Sequence, residues 1–113
     1  MNRKKILVVD SPTRTRRLLV DKLVEQGHEV STAGSVHIGT QFLRNSNFDL
    51  VITEGSVSPT GSADDGVEWV MSICETIPVV VFSLVKYSFP KHGILYFDKI
   101  LGYQPLLDYV SKM

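Results

Sequence analysis

Four short, largely apolar runs, each stopping at a polar residue, constrain this chain more than any other feature. They are Ile6-Leu7-Val8-Val9 before Asp10-Ser11, Phe48 to Thr53 before Glu54, Val79 to Phe82 before Ser83, and Leu95 to Asp98 before Lys99. Alternate residues of a strand point to opposite sides of a sheet, so a run apolar at successive positions needs cover on both faces. That arrangement belongs to a parallel sheet with helices above and below it. In such sheets a site forms beyond the carboxyl ends of the strands. The polar residues Asp10, Ser11, Glu54, Ser83 and Lys99 therefore fall where a site is expected.

The segments between these runs read as helices. Asp10 or Ser11 can cap a first helix, with Pro12 in its first turn, Leu19, Val20, Leu23 and Val24 on its apolar face, and Gly27 closing it. Val30 to Ala33 is a further short strand. Ser35 can cap a second helix through about Arg44, carrying Val36, Ile38, Phe42 and Leu43, with Gly39 lowering its propensity. After a Gly/Ser/Pro-rich loop from Gly55 to Ala63, Asp64 or Asp65 can cap a helix holding Val67, Val70, Met71 and Cys74, which Pro78 ends. Pro105 to Lys112 predicts a terminal helix. Only Leu84 to Ile94 separates the last two strands; a crossover needs about ten to twelve residues, and Pro90 and Gly93 break this one, so its helix should be short or missing. The reading is a single domain over residues 1–113, a three-layer α/β/α sandwich.

Bulk composition narrows the function classes. Of 113 residues, 43% are hydrophobic and 21% charged, so the chain can bury a core without staples. Lys+Arg and Asp+Glu are both 12, and this balance argues against a global binder of nucleic acid or of anionic membrane. Cys74 is the single cysteine, which leaves no intrachain disulfide and reads as a packed thiol. The apolar runs are too short to span a bilayer and no signal peptide is apparent, so a cytoplasmic protein is expected. His28, His37 and His92 stand at no metal-ligand spacing. Arg14, Arg16 and Arg17 form a basic stripe that is either a solvated helix face or a surface for an acidic partner.

Five segments together resemble the receiver domains of two-component response regulators. Lys5 to Asp10 is similar to the family's first strand and leading acid, and Phe48 to Thr53 to the strand that delivers the phosphoacceptor. Asp65-Gly66-Val67-Glu68-Trp69 is similar to the start of the third helix. Ile77 to Ser83 is similar to the fourth strand with its hydroxyl residue, and Tyr96-Phe97-Asp98-Lys99 to the fifth with its aromatic switch and lysine. The resemblance implies a five-stranded parallel sheet of order 2-1-3-4-5. It also implies a phosphoacceptor position at Glu54, an acidic pocket at Asp10 and Ser11, switch and phosphate-pocket positions at Ser83, Tyr96 and Lys99, and a histidine kinase or downstream effector as partner.

This sequence departs from the family at the reacting positions. Ser11 stands where a second acid helps to hold Mg²⁺, Glu54 stands where an aspartate accepts phosphate, and Pro59 comes one residue late. Glutamate places its carboxyl carbon about 1.5 Å farther out than aspartate, whereas Mg²⁺ wants oxygens near-octahedral at about 2.0–2.1 Å. The expectation is a pocket with no resident cofactor, or weak Mg²⁺ at Asp10 and Glu54, in which Glu54 reaches toward Lys99 and Ser83. The domain is then a non-enzymatic receiver, stand-alone or part of a longer chain, acting through protein contacts, with no DNA-binding or catalytic module after Lys99 in this sequence and with its oligomeric state open. The alternatives are a working phosphoacceptor at Glu54, Asp64 or Asp65 with Mg²⁺, and a flavodoxin-like small-ligand binder, against which the absence of a Gly-rich loop after the first strand counts.

Overall fold

A computed structural model describes residues 3–54, 69–84 and 94–113. The apolar runs become strands β1 (Lys5–Val9), β3 (Leu50–Thr53), β4 (Val79–Ser83) and β5 (Leu95–Asp98), and β2 (Glu29–Ala33) completes a sheet of order β2-β1-β3-β4-β5. Every pairing is parallel, and the order is the expected 2-1-3-4-5. Helices α1 (Arg14–Glu25), α2 (Val36–Asn45), a helical stretch over 69–73 (α3) and α4 (Gln104–Ser111) flank it, giving the three layers. The loop expected at Gly55–Ala63, the caps Asp64 and Asp65, Val67, and most of the short crossover at 85–93 lie outside the described residues.

Burial follows the alternation of the strands. Ile6 and Val8 of β1, Leu50 and Ile52 of β3, and Val80 and Phe82 of β4 share one face with Leu19 and Leu23 of α1 and Leu106, Leu107 and Val110 of α4. Leu7, Val9, Val51 and Val79 share the other face with Trp69 and Val70 of α3, and Val36, Phe42 and Leu43 of α2 pack against them. The register Ile6↔Leu50, Leu7↔Val51 and Ile52↔Val80 keeps each side chain on its face. A one-residue slip would exchange the two sets. Among the described residues no helix is long and apolar enough to cross a membrane.

Some local expectations change. The cap of α1 is Thr13, whose Oγ1 accepts the Arg16 amide at 3.3 Å, so Pro12 precedes the helix. Asp10 does not cap α1 because its carboxylate is already engaged by the Ser11 amide and by Lys99. Ser35 caps α2 as expected, and Gly27 follows α1 with a φ of 95°, a left-handed conformation that suits glycine. Val24 and Ile38, expected on buried faces, are 53% and 42% exposed. Cys74 lies just past α3 and is half-buried, not fully packed away. Asp98 caps the 3₁₀ turn Lys99–Leu101 through the Ile100 amide.

Gly39 has a packing role that its low helix propensity hides. A Cβ there would lie 3.2 Å from Trp69 Cζ2 and 3.2 Å from Val9 Cγ2. The indole reaches across α2, and its Nε1 donates to Thr40 Oγ1 at 2.9 Å. Gly39→Leu would overpack this contact and is expected to cost about 1–3 kcal/mol in urea unfolding.

His28 is 6% exposed and its Nδ1 accepts the Lys4 amide at 3.0 Å. Burial, and then the Lys4 charge, lower its pKa from the ordinary 6.5. Below 6.5 the unfolded chain therefore binds a proton that the folded chain resists. Stability is unaffected by this group above about pH 7 and falls as the pH drops from 6.5 through the lowered folded value. Thermal melts of His28→Asn, which keeps an acceptor at that position but does not titrate, should lose that part of the acid dependence.

Candidate functional site

Parallel strands bring their carboxyl ends to one edge, and the polar residues after them meet there. Asp10 follows β1 and is 7% exposed; its main-chain N–H donates to the Ala33 carbonyl at 3.0 Å. Glu54 follows β3, and its amide donates to the Val9 carbonyl at 3.0 Å, which sets it beside the end of β1. Ser83 ends β4 with no exposed surface, and Lys99 follows β5.

Two short polar contacts organise the cluster. Lys99 Nζ donates to Asp10 Oδ2 at 2.9 Å, and the two side chains are only 12% and 10% exposed. The Lys99 ammonium also stands over the face of the Phe82 ring, 5.8 Å from its centroid. The other carboxylate oxygen, Asp10 Oδ1, accepts the Ser11 amide at 2.7 Å. Across the pocket the Ser83 hydroxyl donates to Glu54 Oε1 at 2.9 Å, while Tyr96 OH donates to the Ser83 carbonyl at 3.0 Å.

The structure thus brings Asp10, Glu54, Ser83, Tyr96 and Lys99 together. Ser11 joins only through its backbone, and the residue itself is exposed. The expected reach of Glu54 is seen toward Ser83, whereas the Lys99 ammonium is held by Asp10. Proximity explains the lysine's partner: both side chains turn inward from strand ends where little water can solvate either charge.

Two contacts that anchor β1, one at the site and one at its far end, are not evident from the sequence. Arg16 Nη1 donates to the Asp10 carbonyl at 3.1 Å, tying α1 to the end of β1. Its signal in the sequence is weak, because it shares its helix with two other arginines. Asp49 Oδ2 accepts the Lys5 amide at 2.8 Å and pins the opposite end of β1 to the approach to β3. A polar residue at the start of an apolar run gave the only hint.

Solved structures of response regulators share this fold. A chain of the complex of histidine kinase ThkA with response regulator TrrA is 26% identical, covers 96% of this chain and 97% of its own length, and has a TM-score of 0.78. TrrA from Thermotoga maritima bound to Mg²⁺–BeF is 24% identical over 96% and 97% of the two chains, at a TM-score of 0.75. The chemotaxis response regulator CheY4 of Vibrio cholerae is 19% identical over 98% of each, at 0.77. No protein-family model matches the sequence, and no curated protein matches it.

Removing one member of the buried pair should expose its cost. Lys99→Met leaves the Asp10 carboxylate enclosed without its cation and is expected to lose roughly 3–5 kcal/mol in urea unfolding. Asp10→Asn added to it removes the stranded charge, so the double variant should regain most of that loss.

Proposed function

We propose that this chain is a receiver-like signalling domain of two-component type that acts through protein–protein contact, with its pocket held in one charge arrangement. The observation that carries this reading is the Ser83 hydroxyl on Glu54 Oε1 at 2.9 Å, beside the Lys99–Asp10 pair. The groups that the resemblance assigns to a phosphoryl group, the hydroxyl and the ammonium, both already have carboxylate partners within the protein.

The donor set also suits Mg²⁺ poorly. One oxygen of Asp10 takes a backbone amide and the other an ammonium, so each would have to be surrendered to a metal. Ser11 supplies no carboxylate, and among the described residues no group of three or more His, Cys, Asp or Glu could hold a metal ion. Phosphoryl transfer needs an oxygen in line with the donor phosphorus and cations on the equatorial oxygens. Glu54, extended by one carbon–carbon bond and drawn to Ser83, meets the first need badly, and the Lys99 ammonium that could serve the second is already held by Asp10. Such a domain would carry out no reaction of its own and would work in the cytoplasm with a kinase or a downstream effector as its partner. The neighbour solved with a histidine kinase supports a partner of that kind.

Treatment with acetyl phosphate and Mg²⁺, followed by intact-mass measurement, tests the reading. Wild type, Glu54→Asp and Ser11→Asp are expected to gain no phosphoryl group, and the double variant is expected to gain one. Phosphoryl gain by wild type would overturn the proposal in favour of a working acceptor. Peptide mapping would then tell Glu54 from Asp64 or Asp65.

A further inference from the structure

Away from the strand-end pocket, a cleft of about 920 Å³ runs along the outer face of α1. Arg14, Arg16 and Arg17 line it, together with Val20, Asp21 and Thr32 of the edge strand β2. The cleft is broad and open to solvent, a shape suited to a segment laid along the surface and not to an enclosed small molecule. Arg14 and Arg17 are exposed, and no carboxylate lies within ion-pair distance of either among the described residues.

The position of these arginines is costly for the helix. The first turn of a helix carries the positive end of its dipole and favours acids. Here that turn holds no acid, and Arg14, Arg16 and Arg17 occupy its first four residues with Thr15. Helix stability therefore does not account for them, whereas an anionic occupant of the cleft would. Apolar surface adjoins the charge, since Val20 lines the cleft beside Leu18, which is 36% exposed. Among the described residues, its lining holds no aromatic ring that would stack on bases. Charge with aliphatic surface and no ring fits a peptide better than a nucleic acid.

We propose that the α1–β2 cleft docks an acidic peptide segment of a partner protein, its carboxylates on Arg14 and Arg17 and an aliphatic side chain against Leu18 and Val20. Arginine forks engage carboxylates in a bidentate manner, which gives the site direction as well as charge. Arg16 lines the same cleft while holding the Asp10 carbonyl, so an occupant has a physical route to the strand-end pocket. The cleft stands whether or not Glu54 accepts phosphate.

The test titrates the full chain with a Glu/Leu peptide of about ten residues, a Gln/Leu control and a single-stranded oligonucleotide, read by amide chemical shifts. Expected are shifts centred on α1 and β2 with the acidic peptide, weakened at least several-fold when salt is raised from low to physiological ionic strength, and little response to the control. Arg14→Glu/Arg17→Glu should lose peptide binding by more than tenfold while melting at the same or a higher temperature, because the helix end then carries acids. Lack of shifts with the acidic peptide, equal binding by the double variant, or tighter binding of the oligonucleotide would each overturn the proposal.

Discussion

Parallel strands covered on both faces leave polar groups almost nowhere to go except the strand ends. In β3 and β4 every residue is buried, and in β1 only Lys5 is not. A charge placed within these strands would lie in one of the two apolar layers that the helices seal. The ladder satisfies the backbone, and the side chains supply the core. Charge and hydroxyl groups consequently gather beyond the carboxyl ends, where Asp10, Glu54 and Lys99 stand at the edge of the two apolar layers. The site is a consequence of how the sheet is buried.

Once gathered, the groups sort themselves by desolvation. The Lys99 ammonium and the Asp10 carboxylate are both nearly enclosed, and each makes the other tolerable. Glu54 has reach enough to cross to Ser83, and the fully buried serine hydroxyl gains a strong acceptor. Tyr96 then fastens on the Ser83 carbonyl, so one serine is held from both its side chain and its main chain. A pocket bonded in this way has its internal partners in place, and rearranging it means breaking charge-assisted hydrogen bonds in a poorly solvated space.

The rest of the molecule shows smaller compromises with the same origin. Gly39 gives up helix propensity so that the Trp69 ring can lie against α2 and Val9. His28 gives its ring nitrogen to the Lys4 amide and stays neutral in a buried position. Arg14 and Arg17 sit against the helix dipole, and that arrangement is left without a stabilising partner inside the described chain.

Much of this was legible in the residues alone. The runs at Ile6, Phe48 and Val79 identified the buried strands because continuous apolar character has few other uses in a chain of this size, whereas the run at Leu95 became the last strand of the sheet order and is only partly covered, with Leu95 itself 41% exposed. The residues ending those runs marked the site, since the strand-end rule needs only strand direction. Pairing was not legible. Whether Lys99 meets Asp10 or Glu54, whether Asp10 caps α1 or enters the pocket, and whether Arg16 is solvated or holds a carbonyl depend on distances across strands far apart in sequence. Lys99 and Asp10 are 89 positions apart, and only the closed sheet brings them to 2.9 Å. Residue type and periodicity determined the layers and the polar edge, because burial acts on each residue separately; tertiary structure decided which charge neutralises which, because that choice depends on the three-dimensional arrangement of all of them at once.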